Sequence, residues 1–256
     1  MELRPLGNTA LSVSAIGFGA FKIGRNQKTK YPDAYELPDE RSVGTLLEGV
    51  LECGINLIDT APAYGLSEER IGRFLAGDAL RERVVLATKV GERFEQGVSN
   101  YAFDRASVNA SIDESLARLR TDRLDLVSVH SDGNDLEIIR SSDVLEVLAE
   151  RRERGDVGAV GFSGKTVEGH RACLDPALGV GVLMIELNPT STEQLELLGP
   201  AAEAGVGILV KKGLASGRLS PAEALPWLLA HPEVASVVIG GRSLENVRRN
   251  AALLDG

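Results

Sequence analysis

Asn56-Leu57-Ile58-Asp59-Thr60-Ala61-Pro62-Ala63-Tyr64-Gly65-Leu66-Ser67-Glu68-Glu69-Arg70 reads as a strand, a broken loop and the start of a helix. Residues 56–58 are short and β-prone, without polar alternation, as suits a strand covered on both faces. Pro62 and Gly65 interrupt it, and Ser67 followed by two glutamates opens a helix. The same unit recurs along the chain. Strand-like runs lie at residues 15–18, 56–58, 84–87, 124–129, 157–161, 182–185, 206–210 and 234–239. Helical patterns lie between them. Asp39 caps one running to Glu52 and ended by Gly54; Ser67 opens one that stops near Gly77. Asp104 starts one with Val108, Ile112, Leu116 and Leu119 at helical spacing, and Asp143 starts one stopped by Gly155. Thr166, Thr192, Ser220 and Ser243 stand at further N-cap positions. Eight strand-then-helix units predict an α/β fold, a (β/α)8 TIM barrel, as a single domain over residues 1–256. An N-terminal β-hairpin of residues 3–6 and 11–13 turns at Gly7-Asn8-Thr9. A doubly wound sheet would need a glycine fingerprint opening a helix after the first strand. Gly17-Phe18-Gly19 runs instead into Ala20-Phe21-Lys22, where no helix starts.

Composition removes several function classes. With 43% hydrophobic and 25% charged residues, the 256-residue chain has ordinary globular usage, which excludes disorder. Aromatics at 4% are too few for a base-stacking surface, and a net charge of −9 argues against general nucleic-acid or anionic-membrane binding. Cys53 and Cys173 are too few for a disulfide framework or metal cluster and read as buried apolar thiols; no metal site is expected. The opening Met-Glu-Leu-Arg-Pro-Leu lacks a signal peptide's apolar run, and no segment reaches the ~18 apolar residues of a membrane span. A soluble protein of the cytoplasm is the expectation.

Barrel sites are built where strands end. The second strand ends at Asp59, the third at Lys89 and the fourth at His130, while Tyr64 stands on the loop that the second strand feeds. A phenol titrates near ~10, outside the neutral range, and a nearby ammonium lowers that value. Asp59 would hold Lys89 charged, and His130 would orient a carbonyl oxygen beside Tyr64. Such a group donates a proton to a carbonyl being reduced, or accepts one from an alcohol being oxidised. At the eighth strand's end, Gly240-Gly241-Arg242-Ser243 opens a helix, a pattern suited to an anion. Residues 22–38 and 91–101 read as loops over the site. His170 and His231 read as surface or cap residues, Trp227 as core, and the acidic helix faces as solvated.

The stretch from Gly54 to Glu68, together with Ala87-Thr88-Lys89, Val129-His130, Gly161-Phe162-Ser163, Glu186-Leu187-Asn188-Pro189 and residues 239–254, resembles the aldo-keto reductases over nearly the whole chain. The resemblance implies an NADP(H)-dependent carbonyl reductase with NADPH as cofactor and a small aldehyde or ketone as substrate. It implies Tyr64 as general acid, Lys89 as modulator of its pKa, Asp59 as the partner of Lys89, and His130 as the substrate-orienting group. Arg242 would meet the 2′-phosphate, with Gly240, Gly241 and Ser243 beside it and Asn246 and Asn250 around the adenosine. Leu214 and Ser216 match the pyrophosphate loop, Lys22 a lysine near it, and Ser163 a serine at the nicotinamide amide. Three positions depart from the family: Gly164 replaces a common Asn, Met184 a usual Gln, and Lys211 an aromatic that stacks on nicotinamide. Lys211 and Lys212 would either charge the phosphate site or project into solvent. Two other functions stay open: a non-turnover NADP(H)-binding sensor or partner subunit, and a Schiff-base aldolase using Lys89 or Lys211. The pocket is expected to be open, walled mainly by residues 22–38 and 91–101. A monomer is expected, without nucleic-acid or membrane partners.

Overall fold

Strands β1 to β8 are Ile16–Gly19, Leu57–Asp59, Val85–Val90, Leu124–His130, Val157–Ser163, Val182–Glu186, Gly207–Lys211 and Val234–Gly240 in a computed structural model that describes residues 1–29, 31–76 and 78–254. Each strand pairs in parallel with the next, and β8 returns to β1 from Val237↔Ile16 to Gly240↔Gly19, closing the barrel. Every expected run became a strand, and every strand runs further toward its carboxyl end than apolar patterning indicated. Apart from Val90 and Phe162, the added residues are polar or glycine: Gly19, Asp59, Thr88 and Lys89, His130, Ser163, Glu186, Lys211 and Gly240. All of these polar or glycine positions except Thr88, whose hydroxyl donates to Glu68, line a cavity instead of a core.

Helices α1 to α8 are Glu40–Glu52, Ser67–Leu75, Arg105–Leu119, Val144–Arg154, Val167–Ala172, Leu198–Glu203, Pro221–Leu229 and Leu244–Ala252. Asp39, Asp104, Thr166 and Ser243 cap four of them by accepting from the backbone N–H of Ser42, Ser107, Gly169 and Asn246. Gly155 ends α4 in the left-handed conformation. Asp143, Thr192 and Ser220 make no cap hydrogen bond: Asp143 is itself helical in φ and ψ, Thr192 precedes only the 3-10 turn Glu193–Leu197, and at Ser220 the start of α7 is set instead by Pro221 in its first turn. The expected stop of α2 at Gly77 lies outside the described residues.

Alternation along the strands divides the core in two. Leu57, Ala87, Leu126, Ala159, Met184 and Leu209 point into the barrel. Ile58, Leu86, Val127, Val160, Leu183 and Ile208 face the helices. The N-terminal hairpin, Leu3–Pro5 against Ser12–Ser14, delivers Leu6 and Val13 into the inner cluster and plugs the amino-terminal mouth. The carboxyl-terminal mouth stays open. Residues 91–101 are not the irregular loop expected but a second antiparallel hairpin, Glu92–Glu95 against Val98–Tyr101, turning at Gln96 and Gly97 with φ of 53° and 82°. Both φ values are positive, as a type I′ turn requires. Trp227 is half-buried against the core, edge-on to His231. Among the described residues no helix is long and apolar enough to cross a membrane, and no cluster of His, Cys, Asp or Glu could hold a metal ion.

Candidate active site

Strand pairing brings the polar ends together. Asp59 sits opposite Gly19 on one side and Ala87 on the other, His130 pairs with Ser163, and Glu186 with Lys211. They surround a cavity of about 680 Å³ lined by all four proposed catalytic side chains. Its walls include Arg25, Lys28, Thr29 and Tyr31 from residues 22–38, and Glu92, Phe94, Ser99 and Tyr101 from the second hairpin.

Lys89 is 1% exposed and fully engaged. Its Nζ donates to Asp59 Oδ1 at 2.7 Å, Asp59 Oδ2 at 2.8 Å and Thr60 O at 2.8 Å. Burial alone would pull its pKa down, but Asp59 and Tyr64 together hold it above the ordinary lysine value. Tyr64 stands in the 3-10 turn Pro62–Tyr64, which Gly65 closes at a φ of 60° that a bulkier residue resists. Its ring centroid lies 4.9 Å from Lys89 Nζ, edge-on to Phe21 and to His130 at 5.1 and 6.1 Å. Burial pushes the Tyr64 hydroxyl up to about 12, and the Lys89 ammonium only partly offsets this while Asp59 and Glu92 add to it. The expected net lowering by Lys89 is therefore corrected: desolvation wins, and the resting site holds a neutral phenol.

His130 has a neighbour that the sequence did not announce. Its Nδ1 lies 3.0 Å from Glu92 Oε2, at an angle too bent for a regular hydrogen bond. Burial pulls the imidazole below its ordinary pKa despite the carboxylate. Glu92 is itself buried; burial would raise it, but His130, Ser99 and Arg25 together hold it down at about 2. Ser99 Oγ donates to Glu92 Oε1 at 2.6 Å, tying both strands of the hairpin to the site. The readable signal was an acid immediately after the third strand.

The proposed cofactor residues divide into two groups. Ser163, Ser216 and Gly240 line the cavity. Outside its lining lie Leu214 after β7, Gly241, Arg242 and Ser243 after β8, Asn246 and Asn250 on α8, and Lys22 on the 3-10 turn after β1. Lys22 Nζ sits 3.7 Å from the Tyr31 ring centroid, and the Arg242 guanidinium 5.5 Å from that of Tyr35. Burial and Arg242 lower the Lys22 pKa. Among the described residues neither cation forms an ion pair, in a chain with a strong acidic excess. Two cations without a direct ion pair, Lys22 feeling Asp33 only less strongly than burial and Arg242, stand beside two glycines and a capped helix, a donor set that fits a phosphate-bearing dinucleotide.

The departures at Gly164 and Lys211 have a common structural basis. Gly164 N–H donates to His170 Nε2 at 3.0 Å, and a Cβ at position 164 would stand 2.8 Å from Asp135 Oδ2 and 2.9 Å from that nitrogen. No asparagine fits there. His170, expected at the surface, is fully buried and carries this contact; burial brings it down to about 4. Asp135 accepts from Ser131 Oγ, the backbone N–H of Lys165 and Thr166, and Thr166 Oγ1. Lys211 and Lys212 take neither of the expected courses. Lys211 Nζ turns into the cavity, 2.9 Å from Ser163 Oγ and 2.7 Å from Gly164 O, while Lys212 pairs with Glu186. Met184 is part of the apolar cluster inside the barrel and lines the cavity. Glu68, in the first turn of α2, is fully buried and accepts from Thr88 Oγ1 and Arg118 Nε. Cys173 is buried, its thiol pushed up to about 12 by burial, and Cys53 is half-buried.

A family model described as the aldo/keto reductase family matches residues 15–224. The chain belongs to that family. This aldo-keto reductase is 34% identical to L-galactose dehydrogenase of Arabidopsis thaliana over 92% of its own length and 72% of the relative's. It is 28% identical to 6-dehydroglucose reductase of Novosphingobium aromaticivorans, over 98% and 90% of the two chains. Among solved structures it is similar to a Pseudomonas aeruginosa protein assigned to the aldo-keto reductases, at 43% identity and a TM-score of 0.88 over 98% of this chain and 93% of that one. It is also similar to the holo form of a Bacillus halodurans aldo-keto reductase, at 28% identity and a TM-score of 0.86 over 100% and 91%. The chain is an oxidoreductase of this family, whose members use nicotinamide cofactors.

Proposed function

We propose that the protein is an NADPH-dependent reductase of small aldehydes and ketones, with Tyr64 as the general acid. The observation that carries this reading is the Lys89 ammonium, fixed by both Asp59 oxygens and Thr60 O beside the Tyr64 ring. NADPH, when bound, supplies the hydride. The neutral phenol of Tyr64 supplies the proton to the carbonyl oxygen. Lys89 stabilises the phenolate left behind, and Asp59 keeps Lys89 charged and immobile. His130 orients the carbonyl oxygen, and Glu92 sets the position of the imidazole. Phe21, Phe94 and Tyr101 exclude water from the reacting groups. Arg242 and Lys22 hold the phosphate end, with Gly240, Gly241 and Ser243 presenting backbone N–H groups. Leu214 and Ser216 support the pyrophosphate, and Asn246 and Asn250 the adenosine.

The sugar names of two relatives support including sugar-derived carbonyls in the substrate panel. A Schiff-base role for Lys89 finds no support, because a permanently ion-paired ammonium is no nucleophile. The test is NADPH consumption with a nitrobenzaldehyde followed by a carbonyl panel. The wild type is expected to turn over, and Tyr64→Phe to lose about 10³-fold in kcat. Full turnover by Tyr64→Phe would remove Tyr64 from its assigned role. Tight NADPH binding without turnover of any carbonyl would favour a binding module over an enzyme.

A further inference from the structure

Lys211 ends β7 inside the catalytic cavity, at the position where the family resemblance placed an aromatic ring. An ammonium has three N–H groups. Two are used by Ser163 Oγ and Gly164 O, and the third has no protein partner among the described residues. The cavity that Lys211 lines also holds Tyr64 and His130.

Among the described residues no carboxylate forms an ion pair with this ammonium. Glu186, its partner in register on β6, is taken by Lys212. Asp135, the first residue of the helix Asp135–Ser141, keeps its charge, because its donors are the hydroxyls of Ser131 and Thr166 and the backbone N–H of Lys165 and Thr166, but it makes no ion pair with Lys211 and acts on it less strongly than burial, Lys212 and Lys89 do. The other charged or titratable groups facing it are Lys89 from β3, His130 from β4, Lys165 after β5 and His170 from α5. Lys89 is already matched by Asp59. Lys211 is thus a cation without a direct ion-pair partner among the described residues, on which Glu186 and Asp135 act less strongly than burial, Lys212 and Lys89.

On the functional reading above, hydride passes to a carbonyl carbon whose oxygen lies at Tyr64. Hydride transfer requires contact, so the nicotinamide ring must enter this same cavity. That ring is neutral when reduced and carries one positive charge when oxidised. We propose that Lys211 makes the cavity a selector of cofactor redox state: its ammonium disfavours the cationic ring of NADP+ and leaves the neutral ring of NADPH unpenalised. The selector biases the enzyme toward reduction and speeds release of the spent cofactor. Burial, with Lys212 and Lys89 adding to it, brings Lys211 down to about 7. The preference is therefore full below that value, while the side chain is protonated, and fades as pH rises through it.

Comparing NADPH with NADP+ isolates the effect, because both carry the same phosphates and adenosine, and every contact to those parts cancels in the ratio of their Kd values. Protein-fluorescence titrations with each dinucleotide at pH 6 and pH 8.5 measure that ratio for the wild type and for Lys211→Met. Wild type should bind NADPH about tenfold or more tightly than NADP+ at pH 6, with most of that preference lost at pH 8.5. Lys211→Met should bind NADPH within about twofold of wild type, bind NADP+ more tightly than wild type does at pH 6, and show no such pH dependence. A wild-type ratio that does not move with pH, or a variant that weakens both dinucleotides equally, overturns the selector while leaving NADPH as the cofactor. Failure of the wild type to bind either dinucleotide overturns the functional reading and the selector with it.

Discussion

Lys89 and Lys211 are the same side chain at the ends of strands that face each other across one barrel, and the protein treats them in opposite ways. Asp59 grips Lys89 with both carboxylate oxygens and keeps it charged. Lys211 is held by a hydroxyl and a carbonyl oxygen, with two other lysines pressing on it. Burial penalises both, so the nearest carboxylate decides the outcome. One lysine becomes a permanent charge beside Tyr64, and the other a charge that comes and goes near neutrality.

The comparison can be broken by making the first lysine resemble the second. Asp59→Asn leaves Lys89 buried without a counter-ion, which costs about 3–5 kcal/mol of stability at neutral pH, measured by urea unfolding. Carbonyl reduction should fall by about 10²-fold or more, since Lys89 then shares its remaining charge poorly with Tyr64. An Asp59→Asn protein as stable as wild type would show that the pair does not fix the site.

The converse change has the opposite sign. The folded pKa of Lys211 lies below its unfolded value, so the folded state is penalised wherever the unfolded lysine is protonated. The penalty is full below about pH 7 and vanishes toward pH 10.5. Lys211→Met should therefore be more stable than wild type at pH 6 by about 2–4 kcal/mol, with the gap closing as pH rises toward 10. Equal thermal unfolding of the two proteins at pH 6 would count against a charge without an ion-pair partner. A smaller effect is expected at Gly164, the carbonyl anchor of Lys211. Gly164→Ala pushes a methyl against Asp135 and His170 and should cost about 1–3 kcal/mol by the same measurement.

The barrel was legible because its eight strands are apolar and its helices carry capping residues. The convergence of Asp59, Lys89 and His130 was legible because they stand at the ends of consecutive strands, and that of Tyr64 because it lies on the loop that the first of these strands feeds. Side-chain surroundings were not. Glu92 was passed over because its hairpin turns at Gln96-Gly97, an unusual pair for two positive φ values, so the alternation on either side did not read as strands. His170 looked like a surface helix residue because the N–H it accepts from belongs to Gly164, whose need for a partner appears only once the chain is folded. The direction of the Tyr64 shift was misjudged because sequence adjacency shows the nearby ammonium but not the depth of burial that outweighs it.

The second hairpin divides its labour along its length. At its root Glu92 reaches His130, while its far end presents Val98 at 58% exposure and Gly97 to the cavity mouth. Antiparallel pairing holds the root in register whatever the tip carries. Variation at residues 97–98 can therefore re-tailor what enters the barrel while leaving Glu92 and His130 in place, which makes this ribbon a natural handle for selection, and for the engineer, in reshaping the cavity mouth.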